Sequence, residues 1–438
     1  MRFLKDERPQ ARRRFVRLAL VSMIVLMLGV YGWLAKSQQP DIGDTSALFD
    51  HRVPEIHRIA LDRLPPPFAT RSALNPAFVT SRPAGARLHV PEGFSVSAWK
   101  TKLVNPRAMA VAPNGDVFVA ESAIGRVVVL HQGAHGVVTD TVFARDLNKP
   151  FGIAFYPPGD APRYVYIAET DAVKRYPYRV GNTKGPAAGQ EVIIPDLPAG
   201  GYNNHWTRRL LFSPDGKRMY VSVGSAGNCD EEEERRAAIL EATPEGKDIR
   251  VYASGLRNAV GLAWNPVTGR MWAAVNERDG LGDDLVPDFA TSVLPGSFFG
   301  WPYYYMGAKH DPRLPDRPDL RSKSLIPDVP LEAHCAAVSI AFYTGKAFPR
   351  PYWNDAFVGM HGSWNRAHRS GYKIVRLLMK RDGSAVGEYE DFVWGWAVPG
   401  GKVWGRPVDV AQTPDGALLV SDDGSGTIWK VAYAGHNP

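Results

Sequence analysis

Cysteine is nearly missing from this chain: Cys229 and Cys335 are the only two in 438 residues. Neither has a second cysteine or a histidine at ligand spacing, which excludes a zinc module. In an exported chain an isolated pair reads as one disulfide, so a Cys229–Cys335 bridge is expected. Net charge is missing too, once the first residues are set aside. The formal +7 divides into +6 for residues 1–36 and +1 for everything after them. A near-neutral body offers no phosphate-binding surface, so nucleic acid is excluded as a partner. Long apolar runs are equally scarce. Leu18–Ala35 (LALVSMIVLMLGVYGWLA) alone is uncharged and about as long as a bilayer-spanning helix requires.

That run is expected to be a transmembrane helix. Basic residues crowd its N-terminal side, which keeps that end in the cytoplasm and sends the body outward. Cleavage near Ala35 would place Trp33 three residues before the cut, a poor fit to a signal-peptidase site. The expectation is therefore a retained single-pass anchor in a bacterial inner membrane, with the body in the periplasm. Arg12-Arg13-Arg14-Phe15 resembles a twin-arginine export signal, a simple basic flank being the alternative. Residues 37–88, rich in Pro, Ala and Arg, read as a linker, partly wrapped on the body. Ordered structure is expected from about Val90.

What the chain has in quantity is one repeated phrase. An apolar alternation, a Pro/Asp/Gly turn and a second alternation return six times, from Pro106, Lys149, Arg208, Arg257, Cys335 and Gly405. Alternating runs joined by a turn are β-hairpins. Six such hairpins with further strands between them predict an all-β, six-bladed β-propeller over residues 89–438. Pro91–Lys100 (PEGFSVSAWK) is expected to form an extra strand that closes the ring by pairing with the last blade, which removes an open edge. The long stretches 279–334 and 346–403 must carry elaborated loops.

In a propeller the residues that open each repeat converge on one end of the channel. His205 opens the third repeat, and a neutral imidazole there suits a general base. A histidine tied into its own loop is the plainer alternative. Arg257-Asn258 opens the fourth repeat and Arg406 the sixth, with His361, Arg366, Arg369 and Lys373 between them. Cations and an amide on successive loops form a receptor for a polyanion with planar carboxylates. The loop 276–284, NERDGLGDD, has the acidic groups and glycines that suit a hard cation such as calcium, although a solvated acidic turn would look similar. Glu231–Glu234 read as solvated. Trp206, Trp301, Tyr303 and Trp364 are read either as a stacking floor for a sugar ring or as blade packing.

Taken in order, NNHWTRRLLFSPDGK, ASGLRNAVGLAW, NERDGLGDD, FFGWP, HGSWNR with GYK, and GRPVDV resemble the sorbosone and glucose dehydrogenase family. The likeness spans residues 90–433 and lies nearer the membrane-associated sorbosone branch. It implies oxidation of a sugar with pyrroloquinoline quinone (PQQ) and calcium. By position it implies that His205 takes the hydroxyl proton while hydride passes to the quinone. Arg257 and Asn258 would contact the quinone oxygens, and Arg366 or Lys373, with Arg406, the carboxylates. Carbonyls near Asp279 and Gly280 would hold the calcium. Asn204 stands where the glucose enzymes usually have Asp, and Val408 where they have a second basic residue. The substrate implied is thus an aldose, sugar aldehyde or related sugar alcohol rather than glucose in particular. Electrons would leave to a quinone or a small carrier. Two other readings remain: a metal-dependent lactonase or esterase propeller, and a non-catalytic binding propeller. Arg107, His205, Arg257 and Arg406 occupy the slots where the hydrolase would need metal ligands.

Overall fold

The repeated phrase becomes structure through its turns. In the last repeat Thr413, Asp415 and Gly416 fold back so that Thr413 N–H reaches the Ala417 carbonyl at 2.9 Å. Gly416 takes φ +82°, and a Cβ there would lie 2.7 Å from Ala347, so only glycine fits the turn. The flanking runs Pro407–Gln412 and Leu418–Asp422 then pair antiparallel. A computed structural model describes residues 52–186, 188–200 and 205–435 of the chain.

Six such hairpins extend into six antiparallel sheets, as expected. Their innermost strands are Pro106–Val111, Ile153–Tyr156, Leu210–Phe212, Ala259–Trp264, Ala337–Phe342 and Pro407–Gln412. Second strands such as Val117–Glu121, Met219–Val223 and Leu418–Asp422 are buried at every position, because neighbouring blades cover both faces. Six hydrophobic clusters fill the six joints between adjacent blades. A seventh, with Ala108, Phe151, Val260, Val338 and Val408 packed under Trp206, closes the channel floor. Val408 is fully buried in that floor, which explains an apolar residue at this position.

Phe94–Lys100 pairs with Thr427–Tyr433 and completes the sixth blade, closing the ring as expected. The fourth blade carries an insertion between Pro287–Val293 and Val329–Ala333, with a two-stranded hairpin (Tyr304–Tyr305, Lys309–His310) and a short helix, Pro318–Arg321.

One expectation is sharpened here, a second is overturned, and a third lies outside the described residues. Residues 52–88, expected as a linker partly wrapped on the body, do run along it. Ile56–His57 adds a fifth strand to blade five. The chain then crosses the loops of blades four, five and six, with Phe68 N–H on the Leu281 carbonyl (2.7 Å), Asn75 on Trp364 (2.8 Å) and Thr80 on Val403 (2.8 Å). Second, Cys229 and Cys335 are free thiols. Cys335 is buried with its Sγ 3.4 Å from Asp288, whereas Cys229 faces Arg313 and Asp311 of the insertion. An isolated pair in the sequence carries no sign that the two thiols face different partners. Third, the expected helix Leu18–Ala35 lies outside the described residues. Among the described residues no helix is long and apolar enough to cross a membrane.

Candidate active site

Each innermost strand starts at the same end of the channel, so the residues just before it meet there. Two hydrogen-bonded groups result, joined by an indole. The first is built on Arg107, Asp423, His361 and Arg406. Arg107 pairs with Asp423 at 2.5 Å, and His361 Nε2 lies 2.9 Å from the other oxygen of that carboxylate. Arg406 donates to the carbonyls of His361 (3.2 Å) and Gly362 (3.1 Å). Among the described residues Arg406 meets no carboxylate within ion-pair distance, and the nearest compensating charge is Asp423, which it shares with Arg107 and His361. The Arg107 guanidinium lies over Trp206, 5.2 Å from the ring centre, and so touches the neighbour of His205.

The second group is built on His205, Asn258, Arg257 and Asp279. His205 Nδ1 is 3.0 Å from the Ser225 carbonyl and 3.1 Å from its hydroxyl. An N–H on Nδ1 donating to that carbonyl leaves Nε2 as the basic nitrogen. Among the described residues Nε2 has no partner. Gly224 permits this arrangement, since a Cβ there would stand 2.4 Å from Asn258 Oδ1 and 2.7 Å from His205 Cβ. The histidine and the amide are thus close neighbours, and Asn258 Oδ1 is buried without a hydrogen-bond partner among the described residues.

Arg257, buried, is clamped between two loops. It donates to the Asn228 carbonyl (3.1 Å) and amide oxygen (3.0 Å), to the Glu277 carbonyl (2.6 Å) and to Asp279 Oδ2 (3.1 Å). Asp279 Oδ1 accepts from Asn365 Nδ2 at 2.5 Å and lies 3.4 Å from His334. Burial pulls the Asp279 pKa up, but Arg257, His334 and Asn365 outweigh it and hold the carboxyl at about 2. The imidazoles respond oppositely. Burial first and Arg257 second push His205 down to about 3, while burial and Arg406 push His361 down to about 4. Both rings are neutral near pH 7.

This has a measurable cost in acid. Between pH 6.5 and 4 the unfolded chain binds a proton at His361 that the folded chain refuses, so stability falls as pH falls. From pH 7 to pH 5 the wild-type chain should lose about 2 kcal/mol more than His361→Gln. Urea unfolding of both at the two pH values checks this, and parallel losses would refute it.

Several expected residues lie elsewhere. Lys373 is gripped by Glu332 (2.6 Å) and Asp391 (2.9 Å), and Arg366 pairs with Asp284. Both line a separate pocket of about 460 Å³ with His57 and Tyr372, not the surroundings of His205. Their charges are compensated by carboxylates from other strands and loops. Of the two expected calcium ligands, Asp279 and Gly280, the Asp279 carbonyl is already engaged: it accepts from Asn228 Nδ2 (2.8 Å) and Arg313 Nη1 (2.7 Å). A carbonyl oxygen has two lone pairs, and both are used. Trp301 is buried, its Nε1 on the Asn228 carbonyl (3.0 Å), and Tyr303 is buried against Glu231. Only Trp364 stands exposed. Glu232 is not simply solvated: it accepts the N–H groups of Ala226 (2.7 Å) and Gly227 (2.5 Å), shaping the loop that holds Ser225. Asn228, His334, Asn365 and Asp423 were not singled out by the sequence. Their one signal there is position, each lying in a loop at the mouth.

Known proteins share this framework. A protein of unassigned function from Borreliella burgdorferi is 27% identical over 359 residues, covering 79% of this chain and 91% of its own length. The pyrroloquinoline quinone-dependent pyranose dehydrogenase of Coprinopsis cinerea is 24% identical over 416 residues, or 79% of this chain. The match spans 54% of that enzyme. The holo form of its PQQ domain superposes with a TM-score of 0.65 at 21% identity, covering 81% of this chain and 100% of the domain. The Trichoderma reesei protein of carbohydrate-active enzyme family AA12 superposes with a TM-score of 0.69 at 20% identity, over 82% and 100% of the two chains. The sequence pattern of the TrAA12-like family matches residues 88–288 and 319–434, and the chain belongs to that family.

Proposed function

We propose that this chain oxidises sugars with PQQ, acting on an aldose, a sugar aldehyde or a related sugar alcohol. The observation that carries the reading is a neutral imidazole with a set tautomer, in a mouth where Arg406 touches no carboxylate directly. A half-buried guanidinium that shares one distant carboxylate with a second arginine is short of negative charge, and a polyanion supplies it. Asn258 Oδ1 and Arg107 Nε are further buried polar atoms without partners that a flat, polar polyanion would satisfy. The donor set therefore fits PQQ, a tricarboxylate with a polar heteroaromatic core. When bound, that cofactor supplies the hydride acceptor.

The chain's residues do the rest. His205, neutral near pH 7, receives the substrate hydroxyl proton at Nε2. The Ser225 carbonyl holds the ring and stabilises the imidazolium through Nδ1–H. Arg257 and Asn258 orient the cofactor's polar edge, and Arg406 with Arg107 meets its carboxylates. The apolar floor around Val408 keeps the far side of the site dry. Calcium does not fit the expected loop as it stands, and no step is assigned to it.

The reading extends to the cell. By this reading Leu18–Ala35 holds the enzyme in a bacterial inner membrane with its body in the periplasm, and electrons pass to a membrane quinone or small carrier.

The test titrates the full chain with PQQ by absorbance, then adds aldoses and sugar aldehydes with an electron-accepting dye. Stoichiometric binding and sugar-dependent dye reduction are expected. No binding at micromolar PQQ would refute the function.

A further inference from the structure

The loop that the resemblance offers to calcium already holds a cation of the chain's own. Arg313 Nη1 donates to the Asp279 carbonyl at 2.7 Å. The guanidinium is fixed from behind by Asp311, with Nε at 2.9 Å from one oxygen and Nη2 at 2.7 Å from the other. Asp311 is fully buried and is also met by Arg278 at 3.3 Å. Gly280 passes beside this guanidinium with φ +90°, and a Cβ there would lie 2.9 Å from Nη1. The glycine thus leaves room for an arginine.

Other oxygens of the loop are engaged in the same way. Asn228 takes the second lone pair of the Asp279 carbonyl. Arg257 and Asn365 take the two carboxylate oxygens of Asp279. Asp284 pairs with Arg366. Asp283 accepts from Ala367 N–H at 3.0 Å, and its Oδ1, like Glu277 Oε1, is buried without a partner among the described residues. Calcium takes six to eight oxygen ligands, and a loop whose Asp279 carbonyl and both Asp279 carboxylate oxygens are already held by the chain's own donors falls short of that number. Arg313 also lies in the stretch 289–318 that the family pattern leaves unmatched, so it is a feature of this chain's insertion.

We propose that Arg313 fills the position a divalent cation would take at the Asp279 carbonyl, and that this chain has no calcium requirement at that loop. This rests on the PQQ reading only for its consequence, which is cofactor binding without metal.

The test uses the full chain after EDTA treatment, as wild type, Arg313→Ala and Arg313→Lys. Calcium chloride alone is titrated by calorimetry, and PQQ is titrated with calcium or with EDTA. For the wild type the PQQ Kd should agree within about twofold between the two conditions, with no calcium uptake below millimolar. Arg313→Ala, which leaves Asp311 paired with Arg278, should bind PQQ at least about tenfold more weakly in EDTA than in calcium. Arg313→Lys keeps a cation and should behave as wild type. Submillimolar calcium binding by the wild type, or a tenfold loss of its PQQ affinity in EDTA, overturns the proposal. If no form binds PQQ, the functional reading fails, and calcium alone decides. Uptake by Arg313→Ala but not by wild type then supports the proposal, and identical calcium behaviour overturns it.

Discussion

Replacing His205 by alanine should lower sugar-dependent dye reduction by about 10²- to 10⁴-fold, the usual contribution of a positioned general base. PQQ should still bind with a Kd within about threefold of wild type. The separation follows from the geometry. The imidazole is held by Ser225, on a loop that Glu232 shapes, while the cationic groups are anchored independently on Asn228, Glu277, His361 and Gly362. Removing the ring therefore takes away the proton acceptor and leaves the anion receptor standing. The low pKa has a companion consequence. Burial is its main cause and Arg257 the next. A bound tricarboxylate offsets the arginine, so the basicity of His205 rises on loading the site. Imidazole NMR of the free chain should show His205 neutral down to about pH 4, and its titration should move upward once PQQ is bound. A ring that titrates near 6.5 in the free chain would contradict this account, and so would a His205→Ala protein with wild-type turnover.

Arg406→Ala should weaken PQQ binding by about 10- to 100-fold, the scale of one charge-assisted contact of roughly 1.5–3 kcal/mol. Arginines at this mouth are not equivalent. Arg107 faces Asp423 and Arg257 faces Asp279, so each brings its own counter-ion. Arg406 is held by two carbonyls and touches no carboxylate directly, sharing only the more distant Asp423 with Arg107, so it has the most to gain from a ligand's charge. Arg406→Lys should recover only part of the affinity, because an ammonium cannot offer the flat two-pronged contact. Lys373 is the contrast. Its ammonium is matched by Glu332 and Asp391, so Lys373→Ala should leave PQQ affinity unchanged and lower stability by exposing two buried carboxylates to each other. Equal losses of affinity in both alanine variants would refute this ranking.

The repeat made the propeller legible, and with it the convergence of His205, Arg257, Asn258 and Arg406. Those residues come together because each precedes an innermost strand, and period alone reveals that. Which cation is free is a different kind of fact. Lys373 and Arg366 sit in a motif that looks like part of the receptor, yet carboxylates at 332, 391 and 284 neutralise them. Those partners come from other strands and loops, where no local spacing shows them. The same holds for Asp279, expected through its carbonyl, whose carboxylate instead organises Arg257, Asn365 and His334. The disulfide failed for this reason as well: two loops near one channel need not face each other. Residues 52–88 lack periodicity because they follow the surface of other loops rather than forming blades.

The crossing of residues 68–80 over blades four, five and six makes the ring lopsided. Among the described residues no backbone hydrogen bond ties that segment to blades one to three, whereas Leu281, Trp364 and Val403 are each fastened to it. A hoop riveted along half its rim yields along the other half. Any widening of the mouth to admit a bulky sugar ring must then come from the side where His205 enters, so the admission of substrate and the placement of the base become one mechanical event.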